Sequence, residues 1–295
     1  MSYLLPGRTL VVGNKSFLGQ KFYEAYLAFY QDVIGTDYKS ENPLTRLNLI
    51  NPDLEVLSLK RGYYKWGLIA AACTNVSYCE SEPDQAFKTN VEGTLRLVQG
   101  LIERDITPIL FSSDYVFDGE LGGYVEEAPK RPLNEYGKQK DLLENAVTQI
   151  THGNHLILRC SKVVGIKSGD NTLIDQVVKS LAQGQSIQVA FDQFFAPIYE
   201  QDMIAAVLKL QNMDAKGLFN LCGPEVWTRL DLTRAIAKII GADEALIMPI
   251  SIDDLQIPYQ LPKRTYMNCD KFHKITGFEN TPLTDLLRRL ETVKK

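Results

Sequence analysis

The chain has 295 residues, an ordinary globular composition (45% hydrophobic, 23% charged) and a net charge of -4. Its acidic balance offers no basic field for nucleic acid or an anionic membrane surface, and no apolar run approaches the roughly 20 residues a bilayer-spanning helix needs. The length suffices for one large or two medium domains.

Residues 8–12 read as a short buried strand that Gly13 ends, followed by a helical stripe of Phe17, Leu18, Phe22, Ala25, Tyr26 and Phe29. Residues 33–37 read as a second strand. Asn51-Pro52-Asp53 has the cap and first-turn proline of a helix start. Residues 68–72 form an apolar run of strand length, and Phe87, Val91, Thr94, Leu95, Val98 and Ile102 trace a long helix stripe. Further strands are expected at 108–111 and 156–158, with a helix through Tyr136 between them. Strands alternating with helices argue for a parallel sheet covered on both faces. The predicted class is α/β, a Rossmann-like doubly wound parallel sheet with a smaller C-terminal α/β domain. Residues 1–165 are expected to form the dinucleotide-binding domain. Residues 166–295 are expected to form mainly a substrate-binding domain, with some segments returning to the first. In that second part, helices are read at 171–183 and 202–211, a strand at 186–190, and a capped helix at Thr228-x-x-Asp231.

The five cysteines are odd in number and scattered, and no Cys-x-x-Cys pair or Cys/His cluster has metal-ligand spacing. That usage fits reduced thiols in cytoplasm, and no metal site is assigned. The first eight residues lack a basic region followed by an apolar one, so no secretion signal is read there.

Gly13-Asn14-Lys15-Ser16-Phe17-Leu18-Gly19 stands where a dinucleotide fold places its glycine-rich turn, with the following helix N-terminus toward a pyrophosphate. Ser16 occupies the middle glycine position, where its Cβ is expected to crowd a cofactor or shift the turn. Asp37 follows the second strand about 20 residues beyond that turn. A carboxylate there bonds ribose hydroxyls and favours NAD(H) over NADP(H), although Lys39 blurs the preference. Phe111-Ser112-Ser113-Asp114-Tyr115-Val116-Phe117-Asp118-Gly119 begins at the carboxyl end of a strand, where a serine can steady charge on a carbonyl oxygen. Tyr136 and Lys140 lie four apart and share one helix face. The ammonium favours the phenolate, which suits the tyrosine to proton transfer near neutral pH.

Together these segments resemble an extended short-chain dehydrogenase/reductase, in particular the dTDP-4-dehydrorhamnose reductase group of nucleotide-sugar reductases. Ser113-Asp114-Tyr115-Val116-Phe117-Asp118-Gly119 is close to that group's Ser/Thr-Asp-Tyr-Val-Phe-Asp-Gly signature, and residues 132–140 match its catalytic helix. Ala70-Ala71-Ala72-Cys73-Thr74-Asn75-Val76, Glu80-Ser81-Glu82-Pro83 and Thr89-Asn90-Val91-Glu92-Gly93-Thr94 resemble its nicotinamide-bordering segment and next helix. Leu158-Arg159-Cys160-Ser161 and Asp192-Gln193-Phe194-Phe195-Ala196-Pro197 resemble later segments near the sugar.

The resemblance implies NAD(P)-dependent reduction of a 4-keto group on a nucleotide-linked sugar. Catalysis would fall to Tyr136 as acid, Ser113 on the carbonyl oxygen, and Lys140 beside the phenol. The cofactor would lie against Gly13, Ser16, Phe17, Leu18, Gly19, Asp37, Ala70, Ala71, Ala72 and Asn90, with Tyr136 and Lys140. The substrate would lie against Thr74, Ser113, Asp114, Tyr115, Val116, Phe117, Asn171, Pro197 and Arg264. Arg264 has the fork that suits a diphosphate; a surface charge is an equal reading. Members of the group often dimerise, so a homodimer is the assembly the resemblance allows. The chain departs from the group at Ser16, at Ala70 (often Asn), at Lys162 (often a large aromatic) and at Ile198 (often Thr). The first two bear on cofactor binding and the last two on which sugar is taken. The same scaffold serves nucleotide-sugar epimerases and dehydratases. It also serves a non-catalytic regulatory subunit of methionine adenosyltransferase.

Overall fold

The computed structural model describes residues 7–292. The main sheet has six strands: β1 (Thr9–Val12), β2 (Gly35–Thr36), β3 (Trp66–Ile69), β4 (Thr107–Ser113), β5 (Leu156–Cys160) and β6 (Gly217–Leu221). Their order is β6-β5-β4-β3-β1-β2. β1 pairs in parallel with β2 and with β3, and β3 with β4. Parallel neighbours need crossovers, and helices supply them. They are α1 (Phe17–Leu27), α2 (Val76–Ser81), α3 (Pro83–Phe87), α4 (Thr94–Ile102) and α5 (Glu135–Thr151). The chain runs from β1 to β2 on one side, then recrosses to β3 on the other. The order therefore reverses at β1. This is the Rossmann-like switch point, and such sheets bind ligands in the crevice outside the carboxyl ends of the strands there.

Side-chain alternation builds the two faces. Leu10, Val12, Ile69, Leu110 and Ile157 join one buried cluster with Leu97, Val98 and Leu101 of α4 and Leu143 and Val147 of α5. Val11, Leu68 and Ile109 are equally buried and alternate to the opposite face. Phe22 of α1 is fully buried, its ring 5.6 Å from that of Phe111. With both faces covered, the strands read as continuous apolar runs rather than alternating ones.

Two local expectations change. Asn51-Pro52-Asp53 starts no α-helix. Asp53 instead accepts the Glu55 amide at 2.9 Å, and a single 3₁₀ turn, Glu55–Leu57, ends at Ser58 with φ 47°. The cap signal is present, but only Leu54 and Leu57 bury behind it, too few for an amphipathic stripe. The long stripe from Phe87 to Ile102 is also not uniform. A π-helical turn, Lys88–Gly93, separates α3 from α4.

By its internal contacts the chain forms two compact units. The first runs through Val116 and adds Asn134–Arg159 and Ile204–Phe219; the second holds Phe117–Leu133, Cys160–Met203 and the chain from Asn220 onward. The second unit has its own core. There α6 (Leu173–Ala182), α8 (Arg229–Ile240) and α10 (Leu283–Thr292) bury Ile174, Ile236 and Leu286 in one cluster. Val189, from a strand at Ile187–Ala190, and Ile247, from a parallel partner at Ile247–Ile250, join them. Thr228 caps α8 by accepting the Asp231 amide at 2.9 Å. Between α6 and α8 lies α7 (Glu200–Asn212), and α9 (Asp270–Thr276) precedes α10.

Candidate active site

The end of β1 is shaped by missing Cβ atoms. Gly13 has φ +86°, and a Cβ there would stand 2.7 Å from the Ala71 amide nitrogen. A Cβ on Gly19 would run into the Gly13 carbonyl oxygen. The two glycines therefore let the start of α1 fold back over β1 and let the turn touch the end of β3. Ser16, between them, needs no glycine. It sits at φ -69°, ψ 160°, ordinary extended backbone. Its hydroxyl donates to the Gly13 carbonyl at 2.8 Å and accepts the Gly19 amide at 3.1 Å, capping α1. The serine oxygen is drawn into the turn's own hydrogen bonds. Phe17 and Leu18 supply first-turn amides, which a helix leaves for caps or ligands.

Asp37 stands just past β2. Its carboxylate accepts the Lys39 amide at 2.8 Å, and its backbone bridges to Arg46. The sequence reading did not foresee Arg46 at this place.

Past β3, the Ala70 and Ala71 amides both reach the Val12 carbonyl, at 2.9 and 3.1 Å. Asn90, buried in the π turn, holds the next stretch. Its side chain accepts the Cys73 amide at 2.8 Å and donates to the Cys73 carbonyl at 2.9 Å and to Gln139 Oε1 at 2.8 Å. π turns often mark functional positions, and this one aims an amide at a loop and a helix together. Ala72 and Thr74 are exposed on that loop. Burial, then the nearby Cys73 thiol, push the Cys79 thiol up to about 12, so it stays protonated and unreactive.

The third piece joins β4 to α5. Asn134 caps α5 by accepting the Gly137 amide at 3.0 Å, and Glu80 accepts the Glu135 amide at 2.6 Å. Tyr136 and Lys140 follow on one face, the Lys140 Nζ 5.7 Å from the Tyr136 ring centre. Lys140 is buried, and its ammonium donates to the Phe111 carbonyl at 2.8 Å. The Tyr115 ring meets the Tyr136 ring edge-on at 6.2 Å. Phe111 and Tyr115 stand two residues either side of Ser113. The strand end carrying Ser113 is thus held against the helix face carrying Tyr136 and Lys140. The Ser113 hydroxyl donates to Asp114 at 3.1 Å and accepts the Tyr115 amide at 3.2 Å. Behind Lys140, one turn on, Glu144 receives two parallel hydrogen bonds of 2.8 Å from the Arg159 guanidinium of β5, both side chains 3% exposed.

The family described as RmlD substrate binding domain matches residues 7–293. The chain belongs to that family. It is 29% identical over 290 residues to the probable low-salt glycan biosynthesis reductase Agl14 of Haloferax volcanii, covering 95% of this chain and 96% of that protein. It is 28% identical over 291 residues to methionine adenosyltransferase 2 subunit beta of Xenopus tropicalis, covering 94% and 85%. It is 28% identical over 231 residues to dTDP-4-dehydrorhamnose reductase of Sinorhizobium fredii, covering 75% and 77%. Among solved structures, dTDP-4-dehydrorhamnose reductase of Bacillus anthracis in complex with NADP superposes with a TM-score of 0.85 at 21% identity, over 99% of this chain and 100% of that one.

Other residues expected at an RmlD-type site take varied positions. Val116 and Phe117 have no accessible surface, and Phe117 stacks on Tyr124 at 4.3 Å. Both side chains pack in the interior. Within the second unit, Pro197 is buried. Asn171 accepts Lys179 at 3.3 Å at the start of α6. Arg264 is exposed, donates to the Glu120 carbonyl at 3.2 Å and lies 5.6 Å from the Phe194 ring centre. Gln139 and Glu144, and the pairing of Arg159 with Glu144, were missed. The available signal was a lone arginine ending the apolar strand Leu156-Ile157-Leu158, with a glutamate four residues beyond Lys140 to pair with it.

Proposed function

We propose that the protein is an NAD(P)H-dependent reductase of a 4-keto group on a nucleotide-linked deoxysugar. One observation carries this reading: Tyr136 and Lys140 share a face of α5 that is held, through Phe111 and Tyr115, against the strand end bearing Ser113. The dTDP-4-dehydrorhamnose reductase among the relatives, alike over three-quarters of this chain, supports the substrate class.

The first unit fits a dinucleotide by its own atoms. Gly13 and Gly19 leave a cradle that a Cβ would fill, at the N-terminus of α1, where backbone amides suit a pyrophosphate. A bound dihydronicotinamide supplies the hydride. Tyr136 donates its phenolic proton to the sugar's carbonyl oxygen as that oxygen gains charge, and solvent later returns the proton. Lys140 steadies the transient phenolate. Ser113 turns its hydroxyl from Asp114 to the same oxygen. Asn90 keeps the loop after β3 in register with α5 through Gln139. Asp37 disfavours a 2′-phosphate, while Arg46 and Lys39 offset part of that effect, so NADH is preferred only slightly over NADPH. Lys162 and Ile198 bear on which sugar is taken. A homodimer in the cytoplasm is the working assembly.

Purified protein should oxidise NADPH or NADH on addition of a dTDP-4-keto-6-deoxy sugar, followed by absorbance. Tyr136→Phe should lose that turnover while still binding the dinucleotide. Full activity in Tyr136→Phe would refute the assigned acid. The likeness to a methionine adenosyltransferase beta subunit favours one competitor, a regulatory subunit that kept the fold. Dinucleotide binding without turnover of any such sugar would select it.

A further inference from the structure

All five cysteines are free thiols, but they are not equally placed. Cys160 faces the Met203 sulfur at 3.8 Å, and the Cys73 and Cys79 sulfurs are 4.0 Å apart. Cys222 and Cys269, 47 positions apart, bring their Sγ atoms to 3.0 Å, and the side chains are only 4% and 6% exposed. Cys222 follows β6 and Cys269 immediately precedes α9. The backbones around them are fixed independently of the sulfurs. Asn220 Nδ2 donates to the Tyr124 carbonyl at 2.9 Å and to the Asn268 carbonyl at 3.2 Å, and Asn280 donates to the Cys222 carbonyl at 2.6 Å. The Cys222 amide also points at the Cys269 sulfur, at 3.2 Å. A disulfide bond is about 2.05 Å long, so closure needs a further movement of about 1 Å.

We propose that Cys222 and Cys269 are a cross-linking site: a disulfide oxidant such as oxidised glutathione joins them and fastens the segment before α9 to the end of β6. In the first step one cysteine, as thiolate, attacks a sulfur of the oxidant and releases one small thiol. In the second, the other cysteine attacks the protein sulfur of that mixed disulfide and releases the second small thiol. The protein loses two electrons and two protons, and one oxidant disulfide becomes two thiols. The closed segment leaves no room for the mixed disulfide. Its hydrogen bond with Cys222, with burial, also holds the Cys269 thiol well above its ordinary range. Exchange therefore runs through local opening or during folding, and the finished bond, once enclosed, resists reductants. Arg264 lies on the same segment, its amide bonded to the Gly119 carbonyl at 2.9 Å.

This inference is independent of the reductase reading, and activity is not its readout. The protein is unfolded, refolded in a buffer of reduced and oxidised glutathione, quenched in acid, alkylated in denaturant and peptide-mapped. The expected product is one Cys222–Cys269 peptide pair, lighter than the dithiol pair by two hydrogens. The oxidised protein should melt roughly 5–10 °C above the fully reduced one, because a long loop is closed in the unfolded chain. Cys222→Ala and Cys269→Ser should each abolish that difference. If either variant fails to fold, the wild-type peptide map decides alone. Recovery of Cys222 and Cys269 as separately alkylated residues, or cross-linked to other cysteines, would overturn the proposal.

Discussion

The turn after β1 and the loop after β4 both stand at carboxyl ends of strands, yet they are held by different means. Residues 13–19 are held by steric absence: two glycines let backbone approach backbone, and one hydroxyl fastens the result. Residues 111–116 are held by functional groups: an ammonium on a carbonyl, a ring on a ring, and a hydroxyl shared between a carboxylate and an amide. The first kind of site breaks when atoms are added, the second when they are removed. A phosphate cradle needs only close, fixed amides, whereas proton transfer needs a particular group at a particular place.

The largest expected effect therefore comes from a deletion at the second site. Removing the Tyr136 hydroxyl in Tyr136→Phe should lower kcat about 10²–10⁴-fold, the usual contribution of a positioned acid. The melting temperature should move little, because the ring still meets Tyr115. A comparable loss of stability would mean that the hydroxyl holds the fold rather than the reaction.

Next comes the support behind that site. Glu144 is one turn beyond Lys140 on α5, and Arg159 of β5 grips it with two bonds while both are buried. Arg159→Met would take both of those bonds from a buried carboxylate, at about 3–5 kcal/mol of stability. Chemical denaturation would measure the loss. If a second change, Glu144→Met, restores stability, the pair acts through mutual compensation; if not, the geometry of α5 depends on the charges themselves.

Legibility followed the same division. The glycine turn and the tyrosine–lysine spacing were readable because each is local, set by chain geometry over a few residues. The strands β1, β3, β4 and β5 were readable because burial on both faces makes them continuous apolar runs. What stayed hidden was long-range or aperiodic. The π turn at Lys88–Gly93 leaves the apolar stripe nearly intact, so nothing in the spacing revealed that Asn90 would turn toward Cys73 and Gln139. Arg46 comes beside Asp37 only because the chain after β2 doubles back to make a bridge. Asn51-Pro52-Asp53 shows the reverse error, a correct local cap with no apolar face to sustain a helix. Cys222 and Cys269 are separated by too much chain for any spacing rule to pair them.

At the first site the test is addition. Gly19→Ala places a Cβ against the Gly13 carbonyl, and that backbone has little room to retreat because Gly13 itself abuts Ala71. Overpacking of this kind costs about 1–3 kcal/mol. Dinucleotide affinity should fall further than stability, since displacing the turn also misplaces the α1 amides. Calorimetric titration against a melting curve separates the two. Equal losses in both would show that the turn is structural only.

The smallest effect is expected at Ser16, where the two means of holding a site meet. Its oxygen replaces a glycine's freedom with a hydrogen-bonded lock between Gly13 and Gly19. Ser16→Ala removes the helix cap, worth about 1 kcal/mol, while Ser16→Gly costs only a few tenths because glycine is itself tolerated at that position. If the serine serves the turn alone, dinucleotide affinity should follow stability and change no more than about fivefold in Ser16→Ala, the equivalent of that one cap. A much larger loss of affinity, with the melting temperature nearly unmoved, would show that the hydroxyl leaves Gly13 to bond the ligand, and the turn after β1 would then depend on a functional group as the loop after β4 does.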